Sequence, residues 1–361
     1  MSLAVIIGVG TGYVVTSTAT TTTTTTTVTS TTTTTTIAPE LHQAGWTIVS
    51  ASGRGVMVDI RNIDIGGVVY RVVRLRARTT LLRWHVGAGD PNLWAKAPAD
   101  AGPRIDWPTE GRAGVIAVFN GGFKQAAGGG GAVVDGLTLN PLVKGDMTIV
   151  LDRGGHWEMG VWGTVGFPTA GFDPITYRQN LKPLVWAGKP TAASASPNWN
   201  IWGSPLHYVP AQPRTGLGVD AQGNLIYVAS MQPALAHPLA QALVAAGAVR
   251  GMELDINPFW PILGAASAPI HHPGGTYAVQ LVNAQHSPNI YDAGWERDFF
   301  VALAQPSGWT CNWESAGLRG SVTGVQPQPI HLVGPGCPIA HAHHAAAPHT
   351  TTVPSVTVAG Q

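Results

Sequence analysis

Arg214-Thr-Gly-Leu-Gly-Val-Asp-Ala-Gln-Gly-Asn-Leu-Ile-Tyr-Val228 reads as two strands and the turn between them. Residues 216–219 and 225–229 are short apolar runs bounded by turn formers. Asp220-Ala-Gln-Gly223 supplies the residue types that reverse a chain between antiparallel strands. Outward from this hairpin the hydrophobic period stays near 2. Val73, Leu75 and Ala77 alternate with Arg74, Arg76 and Arg78, which predicts a strand with one face in the core and a basic face in solvent. Val56, Val58 and Ile60 alternate with Met57 and Asp59 just before it, and further strands are predicted over 114–119, 147–151 and 252–256, each bounded by Gly, Pro, Asn or Asp. Helical signals are scarcer. Residues 236–246, with Pro238 near the start and Gly247 after the end, predict one amphipathic helix that packs on the sheet. Residues 298–304 fit a short helix or a strand. The expected fold class is therefore α+β: a mixed, mostly antiparallel sheet with few helices packed on it.

Composition narrows the function. Of 361 residues, 44% are hydrophobic, enough for a sizeable core, and only 11% are charged, while Gly (45), Pro (28) and Trp (13) are plentiful. With 20 Lys+Arg against 19 Asp+Glu, the net charge of +1 lacks the basic footprint of nucleic-acid binding, so no nucleic-acid partner is expected. The tryptophans run from Trp46 to Trp313 without a repeat, as packing residues do rather than a sugar-binding stripe.

The ends differ from the middle. Residues 1–15 are apolar and glycine-rich like the core of a signal peptide, but no Lys or Arg precedes Arg54, so the basic leader is missing; a membrane anchor would need further apolar residues upstream. Residues 16–39, almost pure threonine to Thr36, read as an extended linker, and residues 339–361, with His341, His343, His344 and His349 among Ala, Thr and Pro, as a disordered tail. One domain is expected over 40–338, in a protein that is secreted or displayed at the cell surface. Cys311 and Cys337 are an even count in a chain that looks exported, which favours one disulfide over two buried thiols.

Several chemistries are excluded by pattern: there is no GxSxG, no HExxH, no Cys/His zinc spacing and no phosphate-binding loop ending in Lys-Ser or Lys-Thr. Four strand-end loops remain. In Asn120-Gly121-Gly122-Phe123, two glycines could bring backbone N–H groups to a ligand and Asn120 could hold a hydroxyl or phosphate oxygen, although Asn-Gly is also an ordinary tight turn. Asp135, in Val133-Val-Asp-Gly136 after the glycine run 128–131, could belong to a lid or to a plain connector. Arg214 could grip a phosphate or carboxylate in bidentate fashion, or simply face solvent. The strongest signal is Gly251-Met-Glu-Leu-Asp-Ile256: alternation places Glu253 and Asp255 on one face of a strand, with Cα atoms roughly 6.5 to 7 Å apart. Two such acids could raise each other's pKa, hold a divalent cation, or divide acid and base roles across a glycosidic bond. Otherwise they form a solvated polar face. His272, beside His271 in a Pro-rich connection, could act as general acid or base or merely face solvent.

The order of these pieces resembles the phosphodiester glycosidase domain family over roughly residues 56–300. The matching marks are VFNGGF at 118–123, VVDG at 133–136, RTGLGVDAQGNLIYV at 214–228, and a helix ending at Gly247-Ala248 before the strand that carries Asp255. The resemblance implies an exported or luminal α+β hydrolase of sugar-phosphate diesters that needs no organic cofactor. By position, it also implies that Asn120, Gly121 and Gly122 form part of the pocket, that Arg214 faces the phosphate and that Asp255 sits at the catalytic strand end, with Glu253 beside it. The chain departs from the family after that aspartate, where a glycine-rich DGGGS stretch is usual and Ile256-Asn-Pro-Phe-Trp260 stands instead. Either Phe259 and Trp260 offer a stacking platform to a sugar ring of a different substrate, or hydrolysis has been lost and a carbohydrate-binding module remains. The expected partner is a carbohydrate or sugar phosphate.

Overall fold

The computed structural model describes residues 45–91, 97–196, 198–281, 285–305, 310–315 and 318–323. The Thr-rich run, the His-rich tail and the Cys311–Cys337 pairing lie outside what is described.

The hairpin read from 214–228 is present. β13 (Gln212–Asp220) and β14 (Leu225–Ala234) pair antiparallel, with Leu217 opposite Tyr227. Gly223 takes φ +80°, and Asp220 Oδ1 accepts from the Gln222 and Asn224 N–H groups at 2.9 Å each, which closes the turn. Around this pair an eight-stranded sheet is built from β1 (Thr47–Ser52), β2 (Gly55–Ile65), β3 (Val68–Leu75), β11 (Val185–Trp186), β12 (Lys189–Pro190) and β15 (Ala248–Ile256), in the order β1-β2-β3-β14-β13-β15-β11-β12. A five-stranded sheet follows the order β7-β6-β10-β8-β9, from β6 (Ala132–Val134), β7 (Leu137–Asn140), β8 (Met147–Asp152), β9 (Trp157–Val161) and β10 (Pro174–Gln179). A second five-stranded sheet has the order β17-β16-β5-β18-β4, from β4 (Thr80–His85), β5 (Val115–Asn120), β16 (Leu263–Ile270), β17 (Val279–Leu281) and β18 (Phe299–Ala304). β19 (Thr310–Ser315) and β20 (Leu318–Thr323) form a hairpin.

The fold class expected from the sequence is corrected here: the chain is mainly β rather than α+β, and every strand pair among the described residues is antiparallel rather than mixed. The α-helices among the described residues are α1 (Trp107–Ala113), α2 (Ala236–Ala245) and α3 (Ile290–Ala293). Gly- and Pro-rich connections keep the others to a turn or two, and only α2 has an apolar stripe long enough to cover a sheet. Residues 298–304, ambiguous in sequence, form the buried strand β18.

Leu254, Met252 and Leu217 of the large sheet meet Ile116, Phe119, Phe300, Ile149 and Leu151 of the two smaller sheets in the central core. α2 covers the opposite face of the large sheet through Leu239 and Leu243, both fully buried. Gly216, Gly218 and Gly251 let it approach: a Cβ at each would press on Leu243 at 3.1 to 3.3 Å. The basic face expected on β3 is only partly in solvent: Arg78, beyond the end of the strand, is exposed and Arg76 half-buried, while Arg74 is covered by Asp59 and Trp46. Arg74 is 5% exposed and bonds Asp59 through Nε (3.0 Å) and Nη2 (2.7 Å), while its guanidinium stacks 3.8 Å over Trp46. α1 and α3 close the far side of the β5–β18 sheet, with Tyr291 stacked on Phe299.

Candidate active site at the ends of β5 and β15

β5 and β15 belong to different sheets and meet at their C-terminal ends, where the Asp255 N–H donates to the Gly121 carbonyl at 3.1 Å. β18 begins beside the same point, because Phe299 pairs with Asn120, and this delivers Arg297 and Asp298. β10 delivers Arg178 and Asn180.

Asp298 is the buried anchor. Its Oδ2 accepts from Trp84 Nε1 (2.9 Å), Gly122 N (3.2 Å) and Arg178 Nε (2.8 Å), and Oδ1 from Arg178 Nη2 (3.2 Å). The other Arg178 donors reach the carbonyls of Phe123, Gly129 and Gln179 at 2.6 to 2.7 Å. Asn180 Oδ1 accepts from the Phe123 N–H at 2.8 Å, and its amide donates to the Glu253 carbonyl. The two glycines of the Asn-Gly-Gly-Phe turn are required here by packing: a Cβ on Gly121 would overlap the Asp298 carboxyl, and one on Gly122 would lie 2.7 Å from Asn180 Oδ1. Asn120 is buried and its amide is fully engaged, donating to Thr215 Oγ1 (2.9 Å) and accepting from Tyr227 Oη (2.7 Å), so it ties the two sheets together.

Glu253 and Asp255 face different partners. Glu253, fully buried, pairs with Arg214 through Oε1, while Oε2 has no hydrogen-bond partner among the described residues. Burial outweighs the Arg214 charge and pushes the Glu253 carboxyl up to about 7. Arg214 donates also to the carbonyls of Ala234 (2.7 Å) and Pro210 (2.6 Å), so it is held inside the protein rather than presented as a free fork. Asp255 pairs with Arg297 through Oδ2 and accepts from the Ile256 N–H at 3.2 Å. Burial, only partly offset by Arg297, pushes its carboxyl up to about 7 as well. Arg297 continues outward: Nη1 lies 3.0 Å from Asp90 Oδ2, and the guanidinium sits 4.9 Å from the Trp260 ring. Burial, moderated by Arg297, raises Asp90, and exposed Lys124 lies close enough to act on the same carboxyl. Trp260 packs against Trp295 at 6.2 Å, and Trp295 against His286 at 4.3 Å; all three rings are half-buried. The Asp255–Arg297–Asp90 line thus runs from the protein interior to an aromatic surface.

Of the residues singled out in the sequence, the structure brings Asp255, Gly121, Gly122 and Trp260 to this region, with Glu253, Arg214 and Asn120 bonded behind it. Asp135 and His272 lie elsewhere. Asp135, at φ 47° in the β6–β7 turn, borders a crevice of about 10 Å³, room for a water but not a sugar ring. His272 is exposed just past β16, which ends opposite Val115, at the far end of β5 from Asn120 and roughly 15 Å away. Arg297, Asp90, Asp298, Arg178 and Asn180 were not anticipated; the one local hint is an Arg-Asp pair directly before the apolar run FFVALA. No cluster of three or more His, Cys, Asp or Glu arranged to hold a metal occurs among the described residues, and no helix among them is long and apolar enough to cross a membrane.

No family model and no curated protein matches the chain. Among solved structures it is similar to the catalytic domain of zebrafish N-acetylglucosamine-1-phosphodiester alpha-N-acetylglucosaminidase, auto-inhibited by its pro-peptide, at TM-score 0.45 and 14% identity over 72% of this chain and 88% of that one. A hypothetical protein from Synechocystis aligns at TM-score 0.41 and 13% identity over 69% and 62% of the two chains. A Burkholderia pseudomallei protein, provisionally named as exported, aligns at TM-score 0.32 and 12% identity over 70% and 75%. These are distant likenesses of fold.

Proposed function

We propose that the chain is an exported hydrolase of glycosidic phosphodiesters in cell-envelope or extracellular polysaccharide, acting at Asp255 and Arg297. The observation that carries this reading is the Asp255–Arg297–Asp90 line ending on Trp260 and Trp295. A carboxyl poised near 7 exchanges a proton at neutral pH, a guanidinium complements phosphate charge, and flat aromatic faces suit sugar rings. Asp255 accepts from both Arg297 and the Ile256 N–H, contacts that favour its ionised form, so it serves as base toward water. Glu253 holds Arg214 in place behind it. The role the sequence assigns to Arg214 at the phosphate passes in this reading to Arg297.

One observation favours a second reading, a carbohydrate-binding module that keeps the fold without the reaction: Asn120 and Arg214 are bonded internally. A panel of sugar-1-phosphodiesters, including N-acetylglucosamine-1-phosphate esters, offered to the full chain separates the two. Release of free sugar supports the hydrolase. Saturable binding without release supports the module.

A further inference from the structure

Two hollows adjoin on the α2 side of the large sheet, and neither takes part in the function proposed above. The inner one is a cleft of about 320 Å³, lined by Ser194, Ser196, Trp202, Leu235 and His237 among others. The outer one is an open groove of about 640 Å³ along Ile65, Val68, Pro233, Leu235 and Pro238. Leu235 borders both: it is the N-cap residue of α2 and is 49% exposed. Walls that are mostly apolar, with a few polar groups at one end, are the ordinary make-up of a small-molecule site.

The charges that line the hollows leave no opening for an ionic head. Arg214 is the one permanent charge on the cleft wall, and buried Glu253 already matches it. The one charged residue lining the groove is an acid, Asp64, whose Oδ1 accepts from the Gly67 N–H at 2.9 Å. The uncharged polar groups are more informative. Ser194 Oγ donates to the Thr191 carbonyl at 2.7 Å, so toward His237 Nδ1, 2.8 Å away, it can only accept. The neutral imidazole therefore carries its hydrogen on Nδ1 and a lone pair on Nε2, which has no protein partner among the described residues. Ser196 Oγ accepts from the Asn198 N–H at 3.1 Å and keeps its own proton to donate. The cleft thus offers one acceptor and one donor to an uncharged head that carries the complementary pair, and the groove offers apolar surface to whatever is attached to it.

We infer that cleft and groove together bind a neutral amide with a linear apolar tail. The amide N–H donates to His237 Nε2, its carbonyl accepts from Ser196 Oγ, and the tail leaves over Leu235 along Ile65, Val68 and Pro233. A carboxylate of the same length binds less well, because it brings no hydrogen for His237 and meets no unmatched cation. The site is independent of the chemistry at Asp255.

The test is calorimetric titration of the full chain with acetamide, hexanamide and octanamide, against octanoate and N,N-dimethyloctanamide, which lacks the N–H. The expected result is saturable binding of octanamide, with affinity rising about two- to four-fold per added CH₂ as the tail is buried. N,N-Dimethyloctanamide and octanoate should bind about five-fold more weakly or worse, as loss of one hydrogen bond requires. His237→Phe should weaken octanamide to the level of N,N-dimethyloctanamide. Leu235→Asp sets a charge where the tail passes, while Asp is itself a favoured N-cap, so α2 is kept and the chain-length dependence is lost. Asp255→Asn should bind like the parent. No saturable binding of octanamide, octanoate or N,N-dimethyloctanamide binding as tightly as octanamide, or a chain-length dependence that survives in folded Leu235→Asp would overturn the assignment.

Discussion

Replacing Asp298 by Ala removes the acceptor of four hydrogen bonds at once, from Trp84 Nε1, Gly122 N and two nitrogens of Arg178, at a position 1% exposed. It also leaves the Arg178 guanidinium, equally buried, without its counter-ion. Breaking a buried pair from one side costs about 3 to 5 kcal/mol, a large part of the stability of an ordinary domain. The milder Asp298→Asn keeps one acceptor oxygen and removes only the charge, so it should fall below that figure but above about 1 kcal/mol. The pair Asp298→Leu with Arg178→Met should destabilise by clearly less than the sum of the singles, because neither charge is then stranded. Urea unfolding followed by tryptophan fluorescence reads all five variants, the two singles of that pair included. Single changes costing under about 0.5 kcal/mol, as ordinary surface positions do, or a double mutant equal to the sum, would refute the view that this pair anchors the Asn120–Phe123 turn.

Other expectations follow from particular contacts. Leu243→Ala, on the buried face of α2 and against three glycines, should cost about 2 to 5 kcal/mol and lower the urea midpoint without changing the slope. His85 is fully buried; burial pushes its pKa down, but Glu110, 2.9 Å from Nε2, more than offsets this and raises it. The proton is therefore held more tightly in the folded state: this stabilisation is full below the ordinary histidine range and fades as pH rises through the raised value. Glu110→Gln should flatten that alkaline fall in melting temperature. Glu253 has the opposite kind of charge but also a raised pKa, so its contribution declines as pH climbs from 4.5 toward about 7, and Glu253→Gln should remove that part of the slope.

How far the sequence could be read follows from the range of each contact. The 214–228 hairpin and the 236–245 helix were legible because their signals, period and turn chemistry, are local. The acids of β15 were legible too, through alternation, though not that each would find a different arginine. Arg74 misled because a strand's period shows two faces and not what covers the second; Asp59 of β2 and Trp46, just before β1, cover it. Gly121 and Gly122 are required by Asp298 and Asn180, partners 177 and 58 positions away, which no local pattern encodes. The same holds for Arg297, whose place beside Asp255 is set by β18 pairing with β5. His272 was misplaced because the eight residues of β16 carry it away from the site.

Turnover of an N-acetylglucosamine-1-phosphodiester by the full chain, compared with Asp255→Asn at equal folded fraction, tests the central claim most directly. The account predicts hydrolysis in the parent, falling with acidification below about 7 as Asp255 protonates, and a loss on the order of a hundred- to ten-thousand-fold in the variant. Turnover that Asp255→Asn leaves intact would contradict it.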